Sequence, residues 1–116
     1  MTVNTSDNQI RAAMLVPGRQ GEDVASSTPE LAPDNWEHMA VVVDSDNSIL
    51  KLYLNGNLVG TDTTLRSAPA DLGVTTQNWL GRSQWSADPY FNGMLDDFRI
   101  YNRALSDNEV KYIYEN

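Results

Sequence analysis

The run from Tyr90 to Tyr114, YFNGMLDDFRIYNRALSDNEVKYIY, constrains the fold more than any other part of the chain, because it joins a strand-like alternation directly to a capped helix. From Met94 to Tyr101, Met94, Asp96, Phe98 and Ile100 fall on one face and Leu95, Asp97, Arg99 and Tyr101 on the other, the pattern of a half-buried strand that sets Phe98 and Ile100 against a facing layer. Ser106 with Glu109 three residues on is a capping box, and Leu105 and Val110 stand where a hydrophobic staple fixes the entry angle. Val110, Ile113 and Tyr114 supply the buried stripe of a helix of about three turns.

Upstream, the same reading gives further strands. Gln9 to Val16 ends at Pro17-Gly18, and Asp23 to Ser27 ends at Thr28-Pro29. Trp36 to Asp44 alternates but turns Val-rich, which implies burial on both faces. Asp44 to Ser48 is a turn: it lacks the glycine and the glutamate that a calcium-binding loop of this type requires. Ile49 to Leu54 sets Leu50, Leu52 and Leu54 against Lys51 and Tyr53, and Asn55-Gly56 then signals a tight hairpin returning through Asn57 to Thr61. Thr63 to Gly73 is an irregular connection, Val74 to Gly81 another strand, and Arg82 to Tyr90 a polar loop with aromatic residues. About seven strands with regular turn signals and one terminal helix predict an all-β, antiparallel two-sheet sandwich.

At 116 residues the chain is a single domain, 1–116, with one core. Eight basic against sixteen acidic residues, a formal charge of −8, argue against nucleic acid and anionic membrane surfaces as partners. No apolar run is long enough for a membrane-spanning helix, and MTVNTSDNQIRAAM has no signal-peptide pattern. Without cysteine there is neither a disulfide framework nor a thiolate metal site. Asn4-Thr5-Ser6 is a formal glycosylation sequon.

Four segments, in order, resemble the laminin-G-like, concanavalin A-like jelly rolls, including their pentraxin-like bacterial versions: NWEHMAVVVD, KLYLNGNLVG, NWLGRS and FNGMLDDFRIYNRALSDNEVKYIY. The match covers roughly Trp36 to Tyr114 and implies a jelly-roll sandwich with a short C-terminal helix. Members of that family open with strands that this chain lacks ahead of Gln9, so the resemblance implies the C-terminal portion of a jelly roll, completed by an N-terminal segment or by a second copy. It also implies an extracellular or cell-surface setting, a calcium ion near Asp96, and a non-catalytic accessory role beside polysaccharide-directed proteins. The alternatives are a protein-interaction or adhesion module and a structural domain packed on a catalytic neighbour.

Asp96 and Asp97 are adjacent on the predicted strand and so point apart, whereas glycoside hydrolysis needs two carboxyl groups facing one bond. Asp96, beside Phe98 and Ile100, is either the calcium ligand or an acceptor for backbone amides or Arg82. Trp85 and Tyr90, in a loop with Arg82, Gln84 and Asp88, are the candidates for carbohydrate: a ring lies under the C–H face of a pyranose while guanidinium, amide and carboxylate groups hold its hydroxyls. Those rings can equally plug the end of the sandwich. Trp79 and Phe91, nearer strand ends, are read as core, and the lone histidine, His38, as a hydrogen-bonded structural residue.

Overall fold

A computed structural model describes residues 9–27, 31–83 and 86–116. Among these, five strands form two antiparallel sheets. β1 (Ile10–Met14) pairs with β2 (Asp23–Ser27), and β3 (Met39–Asp44), β4 (Ile49–Leu54) and β5 (Asn57–Asp62) form a meander with β4 in the centre. One helix, α1 (Asp107–Glu115), follows near the end of the chain, and a short 3-10 turn spans Pro69–Leu72.

The alternation along β4 explains the layering. Leu50 and Leu52 point to one side and are fully enclosed with Ile10, Ala12 and Ala25 of the β1–β2 hairpin and with Leu65. Tyr53 points to the other side and is enclosed with Val42 and Val110, so α1 covers the opposite face. The central sheet is therefore buried from both sides, as the valines of β3 required: Val43 packs with the first cluster and Val42 belongs to the second. Register follows the same logic, with Val43 opposite Leu50, Val42 opposite Lys51 and Val41 opposite Leu52.

The hairpin between β4 and β5 turns on Asn55 and Gly56, both left-handed with φ of 51° and 73°, the type I′ requirement that Asn-Gly meets at least cost. Asn55 also anchors the entry to β3: its side-chain oxygen accepts from the His38 amide at 2.9 Å, and its own amide donates to the His38 carbonyl at 2.8 Å. Where the β1–β2 hairpin crosses β5, the backbones come close enough that a Cβ on Gly60 would lie 2.5 Å from the Ser26 carbonyl oxygen. The layers are further tied by the Val24 amide, which donates to Asp62 at 3.1 Å. Asp23, 3% exposed, accepts from the Arg66 amide and guanidinium. Burial works to raise the Asp23 pKa, but hydrogen bonds from Ser67 and Arg66 outweigh it and hold the carboxyl below its ordinary range.

At α1, the Ser106 hydroxyl accepts from the Glu109 amide while Glu109 accepts from the Ser106 amide at 2.8 Å, and Leu105 packs with the Val110 cluster, as the capping box and staple predicted. Lys51 and the Tyr53 hydroxyl, on neighbouring positions of β4, both donate to Asp107 at 2.6 Å and bind the helix start to the sheet.

Two expectations fail. Residues 94–101 and 74–81 form no strand. Phe98 and Ile100 are 64% and 84% exposed rather than set against a facing layer. A strand is a property of a pair, and among the described residues no neighbour lies along either segment to complete one. β3 likewise starts at Met39, leaving Trp36 exposed ahead of it.

Candidate functional site

The loop that follows residue 79 is closed at its neck by one backbone bond, from the Phe91 amide to the Gly81 carbonyl at 2.8 Å. Gly81 takes φ of 72°, a left-handed geometry that lets the chain turn away from Trp79 and Leu80 and return to Phe91. Inside this closure the Arg82 guanidinium lies over the Trp79 ring, 4.3 Å from its centroid, with the Tyr90 ring 5.9 Å away on a second approach. A planar cation on the electron-rich face of an indole is an attractive arrangement, and it fixes the side chain while leaving donor edges available.

Arg82, Ser86, Asp88, Pro89 and Tyr90 line a cavity of about 300 Å³ beside this stack. Tyr90 is 71% exposed, so its ring offers a flat apolar surface to solvent, and Asp88 brings an acceptor and Arg82 donors to the same hollow. Arg82, Asp88 and Tyr90, chosen from sequence as candidate ligand contacts, are thus brought together. Gln84 and Trp85 lie outside the described residues, as does the sequon at Asn4. Trp79 departs from its core assignment: at 39% exposed it is the platform under Arg82. The signal for this was its spacing of three from Arg82 in a segment that turns at Gly81, but turn geometry had to be known first. Phe91 is also partly exposed at the loop neck.

Asp96 stands apart from this cavity. Its carboxylate accepts from the Asp97 amide at 2.8 Å, and Arg82 is engaged with the rings instead. Among the described residues no group of three or more His, Asp or Glu side chains is placed to hold a metal ion. Asp44 to Ser48 is a surface turn in which Asp44 accepts from both the amide and the side chain of Asn47.

A larger hollow of about 560 Å³ lies at the base of α1, lined by residues including Asp44, Lys51, Ser106 and Asp107. Two of its lining charges are committed to each other: Lys51, with Tyr53 beside it, bonds Asp107, which lowers the Asp107 carboxyl below its usual range, and burial with the Asp107 bond pushes the Tyr53 phenol up to about 12. That hollow lies where α1 is tied to β4. His38 corrects the expectation of a hydrogen-bonded side chain: its Nδ1 is buried with no hydrogen-bond partner among the described residues, and its ring sits 5.9 Å from that of Tyr114. Burial, then the charge of Arg99, hold its imidazole below the ordinary range.

An antiparallel β fold of stacked sheets, closed by one short helix and carrying an aromatic-rich loop, is that of a concanavalin A-like sandwich. The chain belongs to the concanavalin A-like lectin/glucanases superfamily, whose laminin G-type family model matches residues 1–111. It is 33% identical over 85 residues to an alpha-L-arabinofuranosidase of Bifidobacterium longum subsp. longum, a match covering 72% of this chain and 8% of the enzyme. It is 34% identical over 76 residues to the human adhesion G-protein coupled receptor D1, covering 65% of this chain and 8% of the receptor. Among solved structures, an S-layer domain-containing protein from Clostridium thermocellum (residues 221–444) superposes with a TM-score of 0.58 at 38% identity, over 91% of this chain and 51% of that one. The chain therefore spans under a tenth of these two curated relatives and about half of the solved structure. No helix among the described residues is long and apolar enough to cross a membrane.

Proposed function

We propose that this chain is a non-catalytic accessory module that binds a poly- or oligosaccharide at the cell surface or outside the cell, through the cavity between Arg82 and Tyr90. The observation that carries the reading is the exposed Tyr90 ring beside a guanidinium held over Trp79, with Asp88 in the same hollow. A sugar needs this combination: an apolar plate for its C–H face and in-plane donors and acceptors for its hydroxyls. Among the described residues that line the cavity Asp88 is the one carboxylate, where hydrolysis of a glycosidic bond uses two, which supports binding over catalysis. The match to a short stretch of an arabinofuranosidase supports an accessory place beside a carbohydrate-active neighbour, and the S-layer domain-containing protein supports a surface setting.

Affinity electrophoresis through gels containing arabinan, arabinoxylan or β-glucan tests the proposal. Retardation in at least one gel is expected, and Tyr90→Ala abolishes it while leaving the unfolding midpoint unchanged, since the ring is exposed. Absence of retardation in every gel, or retardation indifferent to Tyr90→Ala, overturns it. The second reading, a protein-interaction or adhesion module, is favoured by the bare apolar residues of 94–101.

A further inference from the structure

Residues 94–101 combine three properties that rarely coexist in a stable monomer. They alternate as a strand does, they expose Met94, Leu95, Phe98, Ile100 and Tyr101 together, and no backbone–backbone hydrogen bond joins residues 92–102 to any other described residue. Such a segment is an open template for another strand. We infer that it pairs antiparallel with the same segment of a second copy of this chain, in the register centred on Phe98.

Charge selects that partner and that register. Two copies related by a two-fold axis perpendicular to the new sheet place a residue opposite its own counterpart at the centre. Centring on Asp97 sets two carboxylates face to face, and centring on Arg99 sets two guanidinium groups face to face; each is unfavourable. Centring on Phe98 puts Asp97 opposite the second copy's Arg99, and Arg99 opposite its Asp97, around a pair of phenyl rings. On the face of the two charge pairs Leu95 then meets Tyr101, while on the Phe98 face Asp96 lies opposite Ile100 at the rim of the phenyl pair. In the single chain Asp97 accepts from Arg99 at 2.7 and 2.9 Å with Asp97 at φ 54°, a left-handed kink that breaks the extended course. Pairing exchanges this contact within one segment for the same contact between copies and lets Asp97 extend.

Sedimentation equilibrium of the chain over a concentration series, at an ionic strength where the screening length is about 8 Å, tests the inference. The wild type is expected to show a twofold rise in mass. Asp97→Arg and Arg99→Asp, each alone, place like charges opposite one another and are expected to stay monomeric, whereas mixing the two variants regenerates both ion pairs and restores the dimer. A wild type that remains monomeric throughout, as it would if another polypeptide covers this segment, overturns the inference. So do single variants that dimerise like the wild type, or a mixture that fails to associate. Both substitutions lie on exposed positions, and circular dichroism of each variant verifies that the fold is kept.

Discussion

Gly60 shows how much can rest on a hydrogen atom in place of a side chain. Its neighbour across the layers is backbone, the Ser26 carbonyl oxygen and carbon, and neither can rotate aside as a side-chain tip would. Gly60→Ala is therefore expected to destabilise the fold by about 1–3 kcal/mol, with the β1–β2 hairpin losing amide-exchange protection first. A chemical denaturation midpoint equal to wild type would refute the close approach. Asn55 is the complementary case: its left-handed backbone was implied by Asn-Gly between two apolar runs and is present, while its bonds to His38 come from the fold and had no signal in the sequence. Trp79 was misjudged because proximity to a strand end suggests burial, while the turn at Gly81 carries the ring outward to meet Arg82.

At the scale of the element, the start of α1 was legible because its signals are local, whereas of the expected buried stripe Val110, Ile113 and Tyr114 only Val110 is enclosed and Tyr114 is exposed. Leu105, Ser106, Glu109 and Val110 sit close together around the helix start and each does what its position prescribes. Ser106→Ala removes the hydroxyl that the Glu109 amide needs and is expected to lower stability by about 1 kcal/mol, read from urea unfolding followed by far-ultraviolet circular dichroism. Replacing Ser106 with Asp should recover most of the loss. β4 was equally clear, being a short alternating run bounded by turn residues, and β2 fell where the turn residues after it placed it, although it buries Asp23, Ala25 and Ser27 rather than Val24. Residues 94–101 carry as regular an alternation and make no strand, for a physical reason: alternation records which two environments a segment is suited to separate, while pairing depends on a second backbone being in reach. The candidate ligand residues were legible only as a composition of the loop; that Arg82, Asp88 and Tyr90 face one cavity depends on the bond between Gly81 and Phe91, which no periodicity announces.

For the whole molecule, the sheet acts as a partition between two apolar clusters, and its hold on α1 depends on the Lys51–Tyr53–Asp107 contact. This gives stability a defined alkaline limit. The Tyr53 phenol, buried and donating to Asp107, is raised from 10.0 to about 12, and Lys51 is raised by its bond to the same carboxylate. A folded-state pKa above the unfolded one means that the stabilisation is complete below the unfolded value and drains as pH climbs through the folded one. The melting temperature is accordingly expected to fall between about pH 10 and 12, with a tyrosinate absorbance step that coincides with unfolding and is missing from Tyr53→Phe. A phenol titrating near 10 in the folded protein would remove the basis for this limit.

The loop closure at Gly81 and Phe91 has a consequence for how such a module diversifies. Trp79, Arg82 and Tyr90 come from one contiguous stretch, and none of them belongs to either buried cluster. In the proposed binding role, substitutions between the two ends of that neck would alter chemical preference while the framework keeps its cohesion, leaving recognition and foldability nearly independent of one another.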